Sequence, residues 1–179
     1  SELLAEIDDI PGPSSAPLTF DAVADCTYLQ AVLSESQRLH PSVPFSPKSA
    51  LKADVLPTAN PDGRKLAVEA GATMSFSNYI MGRSTKIWGP DAAEFKPERW
   101  LSADGGSYVK ADQFKFPAFN AGRRLCLGMD MANLEMKVVL GTLLRRFTFE
   151  LVPGQDVRPA TALTLQMKHG VKLFVAERK

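Results

Sequence analysis

One cysteine lies between two glycines at the predicted start of a long apolar helix, within residues 119–128. Gly122 suits a backbone position that needs a positive φ angle or room for a bulky neighbour, and Gly128 would let the chain approach a flat group directly after Cys126. The first amides of the helix, from residues 127–129, are expected to point at the sulfur, where the helix dipole adds partial positive charge. Two consecutive arginines follow Gly122. The sulfur would therefore be stabilised as a thiolate, which can be a metal ligand or a nucleophile.

The spacing of the residues around Cys126 favours the ligand. The pattern Phe-x-x-Gly-x-Arg-x-Cys-x-Gly fixes five positions within ten, which is rare by chance. It resembles the haem-binding loop of the cytochromes P-450, the haem-thiolate monooxygenases. Cys126 alone would be interpreted as a buried cysteine after a glycine-rich turn, but the complete motif outweighs that interpretation. The resemblance implies that Cys126 is the axial ligand of the iron in haem b.

The same resemblance implies roles for the residues around the cysteine. Arg124 would hydrogen-bond a haem propionate, and Phe119 would pack beside the sulfur and shield it from water. Gly122 would allow a β-bulge that turns the loop under the porphyrin, and the first turn of the following helix would touch the haem. The cofactor-binding residues expected on this basis are Phe119, Gly122, Arg124, Cys126, Gly128, Ala132 and Lys48.

The overall composition excludes several other classes of protein. A chain of 179 residues, 45% hydrophobic and 23% charged, suits one globular domain with a real core. A net charge of +1 gives no reason to expect nucleic acid binding. The two cysteines lie far apart, which predicts no disulfide framework and suits a reducing compartment. Two histidines predict no histidine metal cluster, and no apolar run has the length of a membrane span.

A second motif lies on a helix predicted over residues 25–40, with Asp21 or Asp25 as its N-cap. Glu35 and Arg38 are neighbours at the edge of its apolar face, and such a pair on a helix surface contributes only about 0.2–0.5 kcal/mol. The context Glu-Ser-Gln-Arg-Leu-His-Pro resembles the Glu-x-x-Arg signature of the same family, at the family's distance before the cysteine loop. We therefore expect a structural pair rather than a solvated one.

A third motif, Pro-Glu-Arg-Trp at residues 97–100, lies in a loop region predicted over residues 90–118. By itself it would be a loop with a solvated arginine, but it resembles the Pro-Glu-Arg-aromatic motif of the family. Arg99 would complete a triad with Glu35 and Arg38, because a carboxylate between two guanidinium groups accepts charge-assisted hydrogen bonds. Such a triad would pin this meander-like loop to the Glu-x-x-Arg helix.

The substrate pocket is expected at two segments. Residues 42–76 are predicted to form short strands, broken by prolines and by a turn at residues 60–63. Lys48 takes the position where many family members carry an arginine that contacts a propionate, although a solvated lysine at a sheet edge is an equally good interpretation. A β-hairpin predicted over residues 160–176 would close the pocket from the side. The pocket residues implied are Val43, Phe45, Ser46, Ala162 and Leu163.

The resemblance covers nearly the whole chain and implies a mainly α-helical fold with small β-sheets (α+β). The family's long central helix, which relays protons to bound dioxygen, is absent, so we expect the C-terminal, haem-binding part of a longer enzyme. Apolar periodicity predicts the proximal helix. The segments expected are the Glu-x-x-Arg helix (25–40), the pocket strands (42–76), the meander-like loop (90–118), the haem-binding loop (119–128), the proximal helix (128–147) and the terminal hairpin (160–176).

Within the family, the sequence is most similar to eukaryotic fatty-acid and alkane ω-hydroxylases. The activity implied is insertion of one oxygen atom of O2 into an unactivated C–H bond of a lipophilic substrate. Electrons would come from an NADPH-dependent reductase docking near Lys115 and Arg123, where Arg123 replaces the proline common in such relatives. The resemblance also implies a membrane anchor in the preceding part and the cytosolic face of the endoplasmic reticulum. The supporting segments are 54–57, 88–89, 95–100 and 119–122.

Two other classes of function remain as alternatives. A cysteine hydrolase would use Cys126 as its nucleophile, but it needs a histidine base within reach, and His40 and His169 have no supporting constellation. A haem-binding module without turnover would keep the cysteine loop and lack the chemistry. A carbon monoxide difference spectrum distinguishes the cysteine hydrolase from a haem-thiolate protein, because only thiolate-ligated haem gives the red-shifted band. Substrate-dependent consumption of NADPH by the full-length protein distinguishes a monooxygenase from a haem-binding module without turnover.

Overall fold

The computed structural model describes residues 1–56 and 63–178. Pro57 and most of the turn predicted at residues 60–63 lie outside these ranges. The described part combines α-helices with two-stranded antiparallel sheets, as predicted. The helices are α1 (Glu2–Asp8), α2 (Phe20–Ala24), α3 (Thr27–Leu39), α4 (Asn78–Met81), α5 (Thr85–Trp88) and α6 (Met129–Arg146). The strands are β1 (Phe45–Ser49), β2 (Asp54–Leu56), β3 (Leu66–Val68), β4 (Thr73–Ser77), β5 (Phe147–Leu151), β6 (Pro159–Thr161), β7 (Leu165–Met167) and β8 (Leu173–Glu177).

Helix α3 lies at the centre of the core and contacts both α1 and α6. Its start differs from the prediction, because neither Asp21 nor Asp25 is its N-cap. Asp21 belongs to the separate helix α2, which Thr19 caps, and Asp25 ends α2. The Glu6 carboxylate of α1 instead accepts two backbone N–H groups in the first turn of α3, at 2.8 and 2.7 Å. A long-range contact therefore replaces the local cap that the sequence favoured.

The segment after α3 begins the wall of the candidate site. Strand β1 pairs antiparallel with β4, with Phe45 opposite Ser77, and β2 pairs with β3. The Asn78 side chain donates to the Val43 carbonyl at 2.9 Å and joins the start of β1 to α4. The chain that leaves α3 is thereby held against α4.

The predicted hairpin over residues 160–176 is wrong. Strand β7 pairs with β6, with Ala160 opposite Gln166, whereas β8 pairs with β5, with Phe149 opposite Val175. Residues 168–170 therefore connect strands of two different sheets. Apolar alternation identifies a strand but carries little information about its partner, and both strands here pair with segments nearer the N terminus.

Helix α6 begins and ends within one residue of the prediction. One face packs on the core, where a Cβ added to Gly141 would approach Leu18 Cδ1 to 2.9 Å. The opposite face is exposed at Met131 and Val139, although the apolar sequence predicted a helix lying in a core. In the described ranges, no helix has both the length and the apolar character needed to cross a membrane.

Candidate functional site

A buried ion-pair network centres on the Glu35 carboxylate. Arg38 donates from Nε and Nη2 to the two carboxylate oxygens, each at 2.7 Å, and Arg99 Nε lies 3.3 Å from Oε1. Trp100 Nε1 donates at 3.0 Å and the Lys96 amide at 2.7 Å. The side chains of Glu35 and Arg38 are fully buried, so the pair lies inside the core rather than at the edge of an apolar face.

The environment of Glu35 keeps it ionised. Burial opposes the charged form, but hydrogen bonds from Arg38, the Lys96 amide and Trp100 outweigh it and hold the pKa of Glu35 below its ordinary value. Hydrogen bonds from Arg99 and Lys96 similarly lower the pKa of Asp91 to about 2. Both carboxylates are therefore charged at neutral pH, as an ion-pair network requires.

The two arginines also bind the backbone of the loop that follows α4. Arg38 donates to the carbonyls of Gly82, Ala92 and Glu94, the last two at 2.6 and 2.8 Å. Arg99 donates to the carbonyls of Trp88 and Asp91 at 3.1 and 2.6 Å. The network consequently fastens an irregular stretch of backbone to α3 through carbonyl groups that lack partners of their own in a helix or sheet.

An aromatic cluster, which sequence reasoning missed, joins this network to the cysteine loop. The buried Trp100 ring lies 5.5 Å from Trp88, 4.7 Å from Phe116 and 6.3 Å from Tyr108, between ring centroids. Phe116 directly precedes the buried Pro117 at the entrance to the loop. The only sequence signal was a concentration of aromatic residues between positions 88 and 116. Lys115 Nζ lies 4.5 Å from the centre of the Trp88 ring.

The cysteine loop turns tightly between Phe119 and Cys126. The Cys126 N–H donates to the Phe119 carbonyl at 2.9 Å, and Asn120 and Gly122 adopt positive φ angles of 67° and 59°. The positive φ expected at Gly122 is confirmed, but the residue begins a 3-10 turn (Gly122–Arg124) instead of a β-bulge. A bulge needs a paired partner strand, and none of the described strands pairs with this loop. Gln113 accepts the Gly122 N–H at 3.0 Å.

The backbone amides after Cys126 differ from the expectation. Helix α6 begins at Met129, with Gly128 as its N-cap, and the Met129 N–H donates to the Cys126 carbonyl at 3.3 Å rather than to the sulfur. A Cβ added to Gly128 would lie 4.0 Å from Cys126 Sγ. Glycine thus leaves open the space beside the sulfur, and Cys126 is exposed.

A cavity of about 360 Å³ lies beside Cys126. Several predicted site residues line it, and its polar lining includes Asn78, Gln37 and Ser42. Among the described residues, this lining includes neither histidine, and it leaves out Phe45, Ala162 and Leu163, of which Leu163 is 88% exposed. The predicted residues that the cavity brings together are Val43, Ser46, Phe119, Cys126 and Ala132.

A second cavity, of about 270 Å³, lies between β1, β4 and the cysteine loop. Its lining includes Lys48 and Arg124, and Lys48 Nζ lies 3.5 Å from Asn120 Oδ1. No acidic residue belongs to this lining among the described residues. Asn120 lines both cavities, so the cationic cavity and the cysteine cavity share one loop residue.

The chain is similar to proteins of one family. The family model described as Cytochrome P-450 matches residues 1–174. An alkane hydroxylase (MAH1) of Arabidopsis thaliana is 44% identical over 84% of the chain and 29% of its own length. A noroxomaritidine synthase of Narcissus is 38% identical over 99% of the chain and 35% of its own length.

A solved structure has the same fold. A crystal structure of a cytochrome P-450 (CYP102L1) superimposes with a TM-score of 0.79 and 27% identity, over 99% of the chain and 38% of that structure. The chain thus spans about a third of the length of the relatives it matches.

Proposed function

The chain belongs to the cytochrome P-450 family, and we propose that the full-length protein is a haem-thiolate monooxygenase that hydroxylates a lipophilic substrate. The observation that carries the proposal is the exposed Cys126 sulfur, which faces a cavity of about 360 Å³ at the start of α6. A cysteine at such a place would be a suitable ligand for haem iron.

The residues around Cys126 fit a haem group. A porphyrin needs a cavity with largely apolar walls, space next to the sulfur and cations for its two carboxylates. Phe119, Ala132 and Met136 supply apolar wall, and Gly128 leaves the space beside the sulfur. The fit therefore depends on side chains from both the loop and α6.

Arg124 and Lys48 are the proposed partners of the haem propionates. Both line the cavity of about 270 Å³, and the Arg124 guanidinium has no ion-pair partner among the residues the structure describes. A guanidinium binds a carboxylate through two parallel hydrogen bonds, whereas an ammonium acts as a point charge. We assign the stronger hold to Arg124 and an adjustable one to Lys48.

When bound, haem would supply the activation of dioxygen and the transfer of one oxygen atom into a C–H bond. Cys126 would hold the iron and donate electron density to it, and Phe119 would exclude water from the sulfur. The Glu35–Arg38–Arg99 network would keep the loop before Cys126 in place. These residues would thus bind the haem through Cys126 and hold the loop that carries this cysteine in position.

The substrate class that we propose is a medium or long fatty acid, hydroxylated near its methyl end. The name of the alkane hydroxylase relative supports hydrocarbon chains, while the noroxomaritidine synthase shows that relatives of comparable identity differ in what they make. Val43 and Ser46 line the cysteine cavity and are the first candidates for contact. Phe45, Ala162 and Leu163 remain candidates in the full-length protein. Fatty acids, sterols and aromatic compounds are compared by type I spectral shifts, and a response to sterols or aromatics alone would contradict this substrate class.

Electron supply and location are further parts of the proposal. An NADPH-dependent reductase would dock on the face carrying Lys115 and Arg123, both exposed, where an acidic partner would find complementary charge. Membrane attachment at the cytosolic face of the endoplasmic reticulum is proposed from the family resemblance.

The deciding experiment is Cys126→Ser in the full-length protein. The variant should lose the red-shifted carbon monoxide difference band, because an alcohol cannot replace the thiolate. Cys26→Ser is the matched control, since Cys26 is buried in the core and should leave the band unchanged. Retention of the band in Cys126→Ser would refute the ligand assignment. Substrate-dependent NADPH consumption then separates a monooxygenase from a haem-binding module.

A further inference from the structure

Asn120 is the one non-glycine residue with a positive φ angle in the described part of the chain, at 67°. Asparagine tolerates this region better than most residues, but glycine adopts it without steric cost, as Gly122 does two positions later at 59°. The backbone alone would therefore be served at least as well by glycine. The asparagine side chain is the feature that needs an explanation.

The side chain of Asn120 reaches the cationic cavity. Its Oδ1 lies 3.5 Å from Lys48 Nζ, and Arg124 lines the same cavity. Two cationic groups thus share a lining without an acidic residue among the described residues, and the acceptor that Lys48 finds there is a neutral amide. Asn120 also lines the cavity that holds Cys126. Asn120 therefore lies between the cavity lined by Lys48 and Arg124 and the cavity lined by Cys126.

We propose that Asn120 is a positioning residue that aims the Lys48 ammonium at a carboxylate of the ligand bound beside Cys126. The proposal rests on the proposed function, in which that ligand is haem. An amide oxygen orients an ammonium without neutralising it, so both positive charges of the cavity remain for the ligand. The contact is 3.5 Å long, and the ammonium has three N–H donors, so Lys48 can keep the contact with Asn120 while it donates to a carboxylate.

Replacements at this position separate orientation from charge. Asn120→Gly keeps the backbone conformation and loses the acceptor. Asn120→Asp keeps an acceptor but pairs with Lys48 and repels a ligand carboxylate. Haem dissociation from the full-length protein, measured by transfer to a haem-free globin, should accelerate about two- to tenfold in Asn120→Gly, the equivalent of one hydrogen bond. Asn120→Asp should lose haem faster still, and added salt should reduce that excess.

A double-variant cycle identifies Lys48 as the group through which Asn120 acts. Lys48→Met should accelerate haem loss, and Asn120→Gly should add nothing in the Lys48→Met background. Gly122→Ala is the matched control, because it strains a positive φ angle and leaves the acceptor in place. Its effect should add to that of Lys48→Met.

Two results would overturn the proposal. One is an unchanged dissociation rate in Asn120→Gly, and the other is additive losses in the double variant. If Asn120→Gly does not fold, the salt dependence of Asn120→Asp decides, and no excess loss at low salt counts against the proposal. The carbon monoxide spectrum of the unmodified protein reports separately on the proposed function. A protein without a thiolate-haem band overturns both, whereas a normal band with unchanged Asn120→Gly kinetics overturns only the role of Asn120.

Discussion

Replacing Glu35 by alanine is expected to release the loop that precedes the cysteine. The carboxylate accepts hydrogen bonds from two guanidinium groups, one indole and one backbone amide, at 2.7–3.3 Å. Arg38 would keep its three backbone carbonyl partners and its place over the Trp88 ring, but it would be left as a buried charge without a counter-ion. Haem retention should fail with it, because the loop that carries Cys126 follows the pinned segment.

The magnitude follows from burial. Removing one partner of a fully buried ion pair costs about 3–5 kcal/mol of unfolding free energy, and the Glu35 and Arg38 side chains are both fully buried. Arg99 is 11% exposed, lies farther from Glu35 and has a second partner in Asp91. Arg99→Ala should therefore cost less, about 1–3 kcal/mol. The expected order of loss is Glu35→Ala and Arg38→Ala first, followed by Arg99→Ala.

The assay is denaturant unfolding of the full-length protein together with its haem content. Lys96→Ala is the matched control, because its backbone amide still reaches Glu35 while the exposed ammonium that pairs with Asp91 is removed. The control should retain haem and change little in stability. Normal haem occupancy in Glu35→Ala, Arg38→Ala or Arg99→Ala would refute the reasoning for that residue.

Three further predictions concern acid, packing and the chain by itself. The pKa of Glu35 is lowered in the folded state, so the stabilisation it gives is present above the ordinary value of 4.5 and is lost as pH falls through the folded value. The unfolding free energy of Glu35→Gln should therefore fall less steeply with acid than that of the unmodified protein. Equal slopes would contradict this. Gly141→Ala should destabilise by about 1–3 kcal/mol because its Cβ would meet Leu18 at 2.9 Å, whereas Gly106→Ala, with no atom nearer than 3.7 Å, should be almost neutral in the same denaturation assay. Residues 1–179 expressed alone should aggregate, because Leu127 and the outer face of α6 expose apolar surface. With added haemin and a reductase they should fail to hydroxylate lauric acid. Stoichiometric haem uptake with coupled turnover would show this prediction to be wrong.

The sequence by itself determined the chemical identity of the site. Three local patterns identify it: the spacing around Cys126, the Glu35–Arg38 pair and the Pro-Glu-Arg-Trp segment. Each can be recognised from a short stretch of sequence, without knowledge of how the rest of the chain folds. Helix α6 was predicted within one residue at each end for the same reason, since apolar periodicity and the preceding glycine lie within one segment. The positive φ at Gly122 likewise follows from the residue type.

The tertiary structure alone decided which segments meet. Strand β8 pairs with β5 instead of β7, and the first turn of α3 takes its acceptor from Glu6 rather than from Asp25. Three of the five donor contacts to Glu35 come from Lys96, Arg99 and Trp100, which are 61 to 65 residues away in the chain. The contact between Lys48 and Asn120 likewise joins residues that are 72 positions apart. Strand pairing and cavity walls depend on the path of the whole chain. The spacing of residues along the sequence does not tell which distant segments come into contact. The residues that could hold a haem were therefore readable in sequence, whereas their arrangement around two adjoining cavities came only from the fold.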